Sequence, residues 1–263
     1  MSYSADYHVH TSFSDDSECP MQDQAEEAVH RGLDEIAFTD HVDYGVKTDL
    51  NCDYDAFFSE IRRLQERFRG KLVIKAGMEF GMQKETAARY RKDFARYPFD
   101  FILLSNHQIG NREFWNNAYQ EGKSQEEYQR GYYRAIYEVM SLYKEYSVLA
   151  HLDMIKRYDR CGDYPDERIM EYVDPILKKA IADGKGIEVN TSCFRYGLKD
   201  LTPSQNILQR YLELGGSILT IGSDTHETEH LADHLDFVKA ELKRIGFTGF
   251  CTFDRMKPEF HVL

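Results

Sequence analysis

The stretch DYHVHTSFSDDSE, residues 6–18, guides the interpretation of the whole chain. It opens with aromatic and β-branched residues that predict a short strand, and this strand ends in His8 and His10. Alternate residues of a strand point to the same face, so both imidazoles can reach one metal ion. Asp15 and Asp16 follow and offer carboxylates. The stretch therefore predicts a strand that leads into a metal site.

Six further segments have the same character as the first strand candidate. Each is short, rich in Val, Ile, Leu or Phe, and bounded by polar residues or glycine. They are EIAFTDH (35–41), LVIKAGMEF (72–80), DFILLSNH (100–107), SVLAHLD (147–153), GIEVNTS (186–192) and SILTIGSD (217–224). Strand and helix candidates alternate about seven times, which predicts an α/β fold with a parallel sheet. A single-domain β/α barrel over residues 1–263 is the preferred architecture, and a doubly wound open sheet is the alternative.

Amphipathic stretches with apolar residues at helical spacing lie between the strand candidates. Ser124, with Glu127 three residues later, predicts a capping box. Thr202 and Pro203 predict the N-cap and first residue of another helix, and Gly246 predicts the end of the last one. The clearest helix candidates are 54–69, 124–145, 203–214 and 231–245.

Composition narrows the function classes. The net charge is −12, from 33 basic and 45 acidic residues, which argues against nucleic acid as a partner. No apolar run approaches the ~20 residues of a membrane span, and the N-terminus lacks the pattern of a secretory signal. The cysteines are scattered, which favours reduced thiols in a cytoplasmic protein; they are Cys19, Cys52, Cys161, Cys193 and Cys251. The oligomeric state is left open.

Metal-binding residue types recur at the C-terminal ends of the strand candidates, where β/α barrels place their active sites. Imidazoles and carboxylates suit Zn²⁺, Mn²⁺ or Fe²⁺ rather than Ca²⁺. One strand-end histidine alone is usually a hydrogen-bonding residue, but the joint pattern favours a metal centre. The candidates exceed what one ion needs, so two or three neighbouring ions are predicted, with Glu79 as a bridge. The candidate ligands are His8, His10, Asp16, His41, Glu79, His107, His151, Asp224 and His226.

Residues 226–230 read HETEH, which matches the zinc-protease motif HExxH. That motif binds zinc only inside a helix, where both histidines share a face. Here His226 follows a strand by two residues, so a strand-to-helix turn is expected. His230 is then a helix or surface residue that neighbours His234. His30 and His261 are likewise interpreted as structural or exposed.

These motifs resemble those of the polymerase and histidinol phosphatase (PHP) family over nearly the whole chain. The family order is matched by HxH at the start, TDH after the second strand, a glutamate after the third, single histidines after the fourth and fifth, and SDTH near the end. Within the family, the opening stretch, the length and the segment EVNTSCFRYGL look most like the stand-alone histidinol-phosphate phosphatases. The resemblance implies a distorted (β/α)7 barrel with three divalent metal ions.

The resemblance also implies how the ligands divide among the ions. The first ion would take His8, His10, Glu79 and Asp224; the second Glu79, His107 and His151; the third Asp16, His41 and His226. Asp15 is the alternative to Asp16. Asp16 is preferred because it lies six residues after His10, as in the phosphatases that the sequence matches. The metal is Zn²⁺, Mn²⁺ or Fe²⁺.

The residue types and the resemblance both indicate hydrolysis of a phosphate monoester, and the resemblance implies L-histidinol phosphate, in histidine biosynthesis, as the substrate. Hydroxide bridging two ions would attack phosphorus, and Asp16, Asp224, His226 or a metal-bound water would donate the proton to the leaving alkoxide. Arg160 and Arg195 lie on rim loops and are predicted to bind phosphate. Weaker phosphate-binding candidates are Lys156 and Arg157, and candidates for recognising the rest of the substrate are Asp43, Tyr44 and Tyr196.

The sequence alone leaves three alternative functions. They are a PHP phosphoesterase for a nucleotide or sugar phosphate, a metalloprotease of the HExxH type, and a non-catalytic metal-binding module. The complete ligand set argues against the last, and the position of HETEH after a strand argues against the protease.

Overall fold

A computed structural model describes residues 3–263 of the chain. Seven parallel strands form the central sheet, and they lie side by side in sequence order. They are β1 (Ala5–Val9), β2 (Glu35–Phe38), β4 (Val73–Gly81), β5 (Phe101–Ser105), β8 (Val148–Leu149), β9 (Gly186–Asn190) and β10 (Leu219–Gly222). A short strand β3 (His41–Val42) continues the line of β2 and pairs with β4. All seven predicted strands are therefore confirmed.

The sheet closes between its first and last strands. Val9 and Thr225 form a parallel bridge just beyond the end of β10. The backbone N–H of His10 donates to the Thr225 carbonyl at 2.8 Å, and the Asp6 carboxylate accepts from the Ser223 N–H at 2.9 Å. The closure confirms the predicted (β/α)7 barrel, and the open-sheet alternative is wrong. Few bonds make this seam, so the barrel is distorted there.

In the part of the chain that the structure describes, seven α-helices surround the barrel, and each buries one face against it. In α2, Phe57, Phe58, Ile61 and Leu64 are buried, as the predicted apolar face requires. The helices are α1 (Met21–His30), α2 (Tyr54–Arg67), α3 (Ala87–Arg96), α4 (Gln125–Leu142), α5 (Asp166–Ala182), α6 (Gln205–Glu213) and α7 (Leu235–Ile245). Within residues 3–263, no helix combines the length and apolarity needed to cross a bilayer.

Helix ends agree with the predictions in two cases and differ in two. Ser124 and Glu127 form the predicted capping box, and Gly246, with φ 117°, ends α7. The N-cap of α6 is Ser204 rather than Thr202, because the Ser204 hydroxyl accepts from the Ile207 N–H. Helix α7 begins at Leu235 rather than at residue 231, since Ala232 and His234 have positive φ values, 57° and 60°, which interrupt a right-handed helix.

Two antiparallel hairpins complete the fold. The pair β6 (Gln108–Ile109) and β7 (Arg112–Glu113) stands at the C-terminal rim after β5. The pair β11 (Gly249–Asp254) and β12 (Lys257–Val262) covers the opposite, N-terminal mouth. There the Phe253 N–H donates to the Tyr7 hydroxyl at 2.7 Å, and the Phe253 ring lies against Phe101. One mouth is thus sealed by packing, and the other carries the polar residues.

Candidate metal centre

Six histidine rings and three carboxylates gather at the C-terminal rim of the barrel. The strands deliver them: His8 lies in β1, His41 in β3 and Glu79 in β4, and the other members follow the strand ends. The His10 ring stacks between His41 and His226, with ring centroids 4.2 Å apart in both pairs. All nine predicted ligands therefore lie in one cluster, made up of His8, His10, Asp16, His41, Glu79, His107, His151, Asp224 and His226.

The first ligand group surrounds one oxygen of Glu79 and one oxygen of Asp224. His8 Nε2 lies 3.2 Å from Glu79 Oε2 and 3.6 Å from Asp224 Oδ1. His10 Nε2 lies 3.5 Å and 3.4 Å from the same two oxygens. Two imidazole nitrogens and two carboxylate oxygens thus face a common point.

The second group uses the other oxygen of Glu79. Glu79 Oε1 lies 2.8 Å from His151 Nε2 and 3.1 Å from His107 Nε2. The Ser105 hydroxyl also donates to this oxygen. Each oxygen of Glu79 therefore serves a different group, which is the arrangement expected of a bridging carboxylate.

The third group is built around Asp16. Its two oxygens lie 3.3 Å from His226 Nε2 and 3.5 Å from His41 Nε2. Asp15 instead pairs with the Lys47 ammonium at 2.9 Å. This geometry favours Asp16 over Asp15 as the carboxylate of the third group. His41 also lies next to the first group, with Nδ1 3.0 Å from Glu79 Oε2.

The donor set fits divalent ions of the zinc type. Several inward-facing ligand atoms are buried and have no hydrogen-bond partner, among them Nε2 of His8, Nε2 of His10 and Oε2 of Glu79. Buried polar atoms are normally satisfied, so three such atoms around one point indicate a site for a cation. Mixed nitrogen and oxygen donors suit Zn²⁺, Mn²⁺ or Fe²⁺.

Hydrogen bonds on the far side of four imidazoles fix which nitrogen faces the centre. The Nδ1–H of His8 donates to Glu188 Oε1 at 2.6 Å, and that of His107 donates to Asp43 at 2.9 Å. The Nδ1–H of His226 donates to the Asp224 carbonyl at 3.1 Å. In the same way His10 Nδ1 contacts the Ser14 hydroxyl, which donates to Asp40. These partners leave Nε2 free to bind an ion, as is usual for metal-binding histidines.

Electrostatics favour the ionised form of the bridging carboxylate. Burial raises the pKa of Glu79, but His8, His107 and His41 outweigh burial and hold this pKa well below its usual value. Burial lowers the pKa of His107, yet the carboxylates of Asp43 and Glu79 raise it to about 9. The centre therefore presents negative oxygen donors at neutral pH.

A cavity of about 370 Å³ opens directly onto the three groups. Arg157 and Lys47 line it as its two cationic side chains besides the histidines, among the residues that the structure describes. The Arg157 guanidinium lies 3.1 Å from Asp224 Oδ2 and stacks over the Tyr196 ring. An aromatic wall made of Phe114, Trp115, Tyr158 and Tyr196 also lines the cavity, together with Glu113.

The two arginines predicted to bind phosphate lie outside this cavity. Arg160 lies in a separate depression, with its guanidinium 3.2 Å from the Asn117 side-chain amide. Arg195 donates to the carbonyls of Ser223 and Asp224, at 2.9 and 2.6 Å, and so supports the backbone of that turn. The structure thus does not bring either arginine to the point where a phosphate could meet the metal groups.

Of the weaker candidates for substrate binding, the structure places three in the cavity and two elsewhere. Arg157, Asp43 and Tyr196 line the cavity. Lys156 is held between Asp153 and Asp166, and the Tyr44 hydroxyl is occupied by Asp93 at 2.6 Å. The sequence offered no reason to prefer Arg157 over its neighbours, because a position on the rim loop does not say which guanidinium turns toward the cavity.

The remaining histidines take no part in the cluster. The HETEH segment forms a 3₁₀ turn rather than a helix, as expected, and His230 contacts Asp233. His234 stacks on Phe194, His30 is 82% exposed, and His261 contacts Thr252. The protease interpretation therefore has no structural basis.

Glu188 is a functional candidate that the sequence analysis missed. It lies in the middle of the apolar strand β9, two residues before Asn190, and both side chains point to the same face. A charged residue inside a buried strand was the signal that could have revealed it.

A parallel β/α barrel with clustered imidazoles and carboxylates at its C-terminal rim defines a metal-binding barrel of the hydrolase type. Residues 6–192 match the model of the PHP domain. The chain belongs to the PHP family.

Named relatives agree with this assignment. The histidinol-phosphatase of Lactococcus lactis is 34% identical over 96% of this chain and 95% of its own length. A probable histidinol-phosphatase of Thermotoga maritima is 28% identical, with 92% of each chain covered. The crystal structure of histidinol phosphate phosphatase from Lactococcus lactis, complexed with zinc, L-histidinol and phosphate, superposes with a TM-score of 0.87 at 32% identity, over 97% of this chain and 98% of that chain.

Proposed function

We propose that this protein hydrolyses L-histidinol phosphate to L-histidinol and phosphate. The main support is the geometry of the rim, where three ligand groups lie together and the first two are linked through Glu79. These groups face a cavity that is also lined by a buried arginine. The resemblance to histidinol-phosphatases over nearly the full chain supports the substrate.

Three divalent ions would complete the site. His8, His10, Glu79 and Asp224 would hold the first, Glu79, His107 and His151 the second, and Asp16, His41 and His226 the third. Such ions make water a nucleophile at neutral pH and neutralise phosphate oxygens. Zinc is present in the Lactococcus lactis structure and is the first metal to test.

Arg157 would bind the phosphate group of the substrate. Its side chain is only 4% exposed, and Asp224, Asn190 and Ser192 hold it in place. An arginine held in this way can donate to phosphate oxygens without losing much conformational freedom on binding. Lys47, whose ammonium pairs with Asp15 at the edge of the cavity, is a second cation for the phosphate.

The leaving alkoxide requires a proton, and the candidates remain Asp16, Asp224 and His226. All three line the cavity. His226 and Asp16 are the more exposed of the three, with side chains 29% and 43% accessible. A proton delivered from either can be replaced directly from solvent.

The aromatic wall suits the cationic remainder of the substrate. Tyr196 and Trp115 offer ring faces to an ammonium or imidazolium group, and Glu113 offers a carboxylate. A neutral sugar or nucleoside could form neither a cation–π contact with these rings nor an ion pair with Glu113, which favours histidinol phosphate over such esters. All five cysteines are free, which supports the proposed location in the cytoplasm.

The test is a phosphate-release assay over a panel of monoesters that includes L-histidinol phosphate, a sugar phosphate, a nucleotide and a generic aryl phosphate. The protein is assayed after loading with Zn²⁺, Mn²⁺ or Fe²⁺ and after chelation. We expect kcat/KM to be highest for L-histidinol phosphate and activity to vanish on chelation. Equal rates for all esters would refute the substrate, and full activity in the chelated protein would refute the mechanism.

A further inference from the structure

Glu188 is a fully buried carboxylate that lies behind the metal ligands rather than among them. It has no solvent exposure, and it stands on β9 between β8, which leads to His151, and β10, which leads to Asp224. One of its oxygens, Oε1, accepts from His8 Nδ1 at 2.6 Å. The other, Oε2, accepts from the backbone N–H of His151 at 2.8 Å and from the Asn190 amide at 3.1 Å.

These contacts reach two different ligand groups. His8 belongs to the first group and His151 to the second, and Glu188 binds one through its ring and the other through its backbone. The backbone of His151 has φ 24°, an uncommon value for a residue other than glycine, so its N–H depends on a partner at a specific position. A single carboxylate thus supports ligands on both sides of Glu79.

The packing around Glu188 leaves the carboxylate little freedom. The neighbouring strand carries Gly222 at the point of closest approach. A Cβ atom at position 222 would lie 2.6 Å from Glu188 Oε1, which is closer than real contacts permit. The absence of a side chain at Gly222 therefore lets the Glu188 carboxylate lie directly against β10. The backbone of β10 in turn limits rotation of this carboxylate away from His8.

We propose that Glu188 is a positioning residue that fixes His8 with Nε2 directed toward the metal centre and fixes the backbone of His151, so that it controls occupancy of the first two ion sites. The inference rests on the metal centre of the proposed function and not on the identity of the phosphorylated substrate. It concerns how tightly ions are held, which can be measured without any turnover.

The main experiment compares metal retention in Glu188→Gln and in a matched control, Glu35→Gln. Glu35 is also a buried carboxylate on a barrel strand, but it lies at the opposite mouth, where it accepts from the Tyr3 and Tyr7 hydroxyls. The glutamine at 188 has one accepting atom where two are needed, so either His8 or His151 loses its partner. Each zinc-loaded protein is dialysed against graded zinc buffers, and bound zinc is counted by plasma mass spectrometry.

We expect Glu188→Gln to bind the zinc ions of the first two sites roughly 10- to 100-fold more weakly than the wild type, so that it retains fewer zinc ions at a given free zinc concentration, and Glu35→Gln to match the wild type. Equal zinc retention in all three proteins would overturn the inference. If the wild-type protein itself binds no zinc, the proposed metal centre fails as well. If zinc binding depends on Glu188 but L-histidinol phosphate is not hydrolysed, the inference stands and the proposed function fails.

Two further measurements separate positioning from a general loss of structure. In the His8→Ala background, the Glu188→Gln substitution should weaken zinc retention less than it does in the wild type, because one of its two targets is gone. In the zinc-loaded wild-type protein, nitrogen-15 spectra of the imidazoles should show His8 protonated at Nδ1. A His8 proton on Nε2 would contradict the inference even if neither variant folds.

Discussion

Charge balance around Glu79 explains why so many histidines can share a small volume. Protonated imidazoles would repel one another, and indeed the nearby His226 and His41, together with burial, lower the pKa of His10 well below its usual value. A neutral His10 is the form that can donate a lone pair to a metal ion. At His10 the surroundings therefore favour the protonation state that metal binding needs, whereas at His107 the raised pKa means that an ion has to displace a proton.

Replacement of His10 by alanine tests the first ligand group. His10 Nε2 faces both Glu79 and Asp224, so its loss removes one nitrogen donor from that group. We expect kcat/KM for L-histidinol phosphate to fall by at least about 10²-fold, with loss of bound metal. The measurement is steady-state kinetics together with metal analysis. Unchanged activity in His10→Ala would refute the assignment of the centre.

Arg157→Met tests the phosphate-binding role, with Arg160→Met as the matched control. Loss of hydrogen bonds to a charged group should lower kcat/KM roughly 10- to 100-fold and weaken inhibition by inorganic phosphate. Arg160 is exposed and lies in a different depression, so its replacement should leave both quantities unchanged. A larger fall in kcat/KM for Arg160→Met than for Arg157→Met would instead support Arg160 as the phosphate-binding residue, as predicted from the sequence.

Among the secondary-structure elements, the short strand β8 shows what the sequence could and could not define. Only Val148 and Leu149 form it, yet the pattern SVLAHLD was sufficient to predict a strand followed by His151. The apolar runs and the strand-end ligands were predictable because each is a local signal. Glu188 was missed and Arg157 was only a weaker candidate, because the roles of both depend on which residues of other strands and loops they face.

Glu35 is a buried acidic residue of β2 at the base of the barrel, and Tyr7, which donates to it, also accepts from Phe253 of the hairpin β11–β12. Burial raises its pKa above the reference value of 4.5, against the opposing effects of Tyr3, Tyr7 and Lys75. Because the pKa is raised, the folded protein binds this proton more tightly than the unfolded chain does. The contribution of Glu35 to stability is therefore fully present below pH 4.5 and is lost as pH rises through the folded-state pKa.

Glu35→Gln removes this titration. We therefore expect the wild type to lose stability relative to Glu35→Gln as pH rises above about 4.5, and the difference to level off once Glu35 is ionised in the folded protein. Urea unfolding of the metal-free proteins at a series of pH values measures it. A stability difference that is constant with pH, or that changes in the opposite direction, would contradict the assignment.

For the complete fold, ion binding should contribute to stability because the ligands come from nearly every strand of the barrel. Ions bind the folded state, and ligand at 100 times its dissociation constant stabilises it by about 2.7 kcal/mol. We expect chelation to lower the melting temperature by several degrees and zinc to restore it. Calorimetry with and without chelator checks this. An identical melting temperature in both would show that ion binding does not stabilise the barrel.

The sequence therefore predicted the architecture and which nine side chains would cluster at the rim, since these follow from periodicity and from a motif order that resembles the PHP family. It did not predict which arginine faces the cavity. Arg160 and Arg195 satisfy the rule that active-site residues lie on rim loops, but Arg195 supports carbonyls of the turn and Arg160 faces another depression. Side-chain direction on a loop is set by tertiary packing, which a linear pattern does not contain.

The bridge between Val9 and Thr225 has a consequence for biosynthesis on the ribosome. His8 and His10 leave the ribosome well before Asp224, which lies 214 residues after His10 in the chain and belongs to the same ligand group. On the nascent chain the two imidazoles therefore lack this carboxylate. The first ion site can be completed only after Asp224 has been synthesised and the barrel has closed at the Val9–Thr225 bridge.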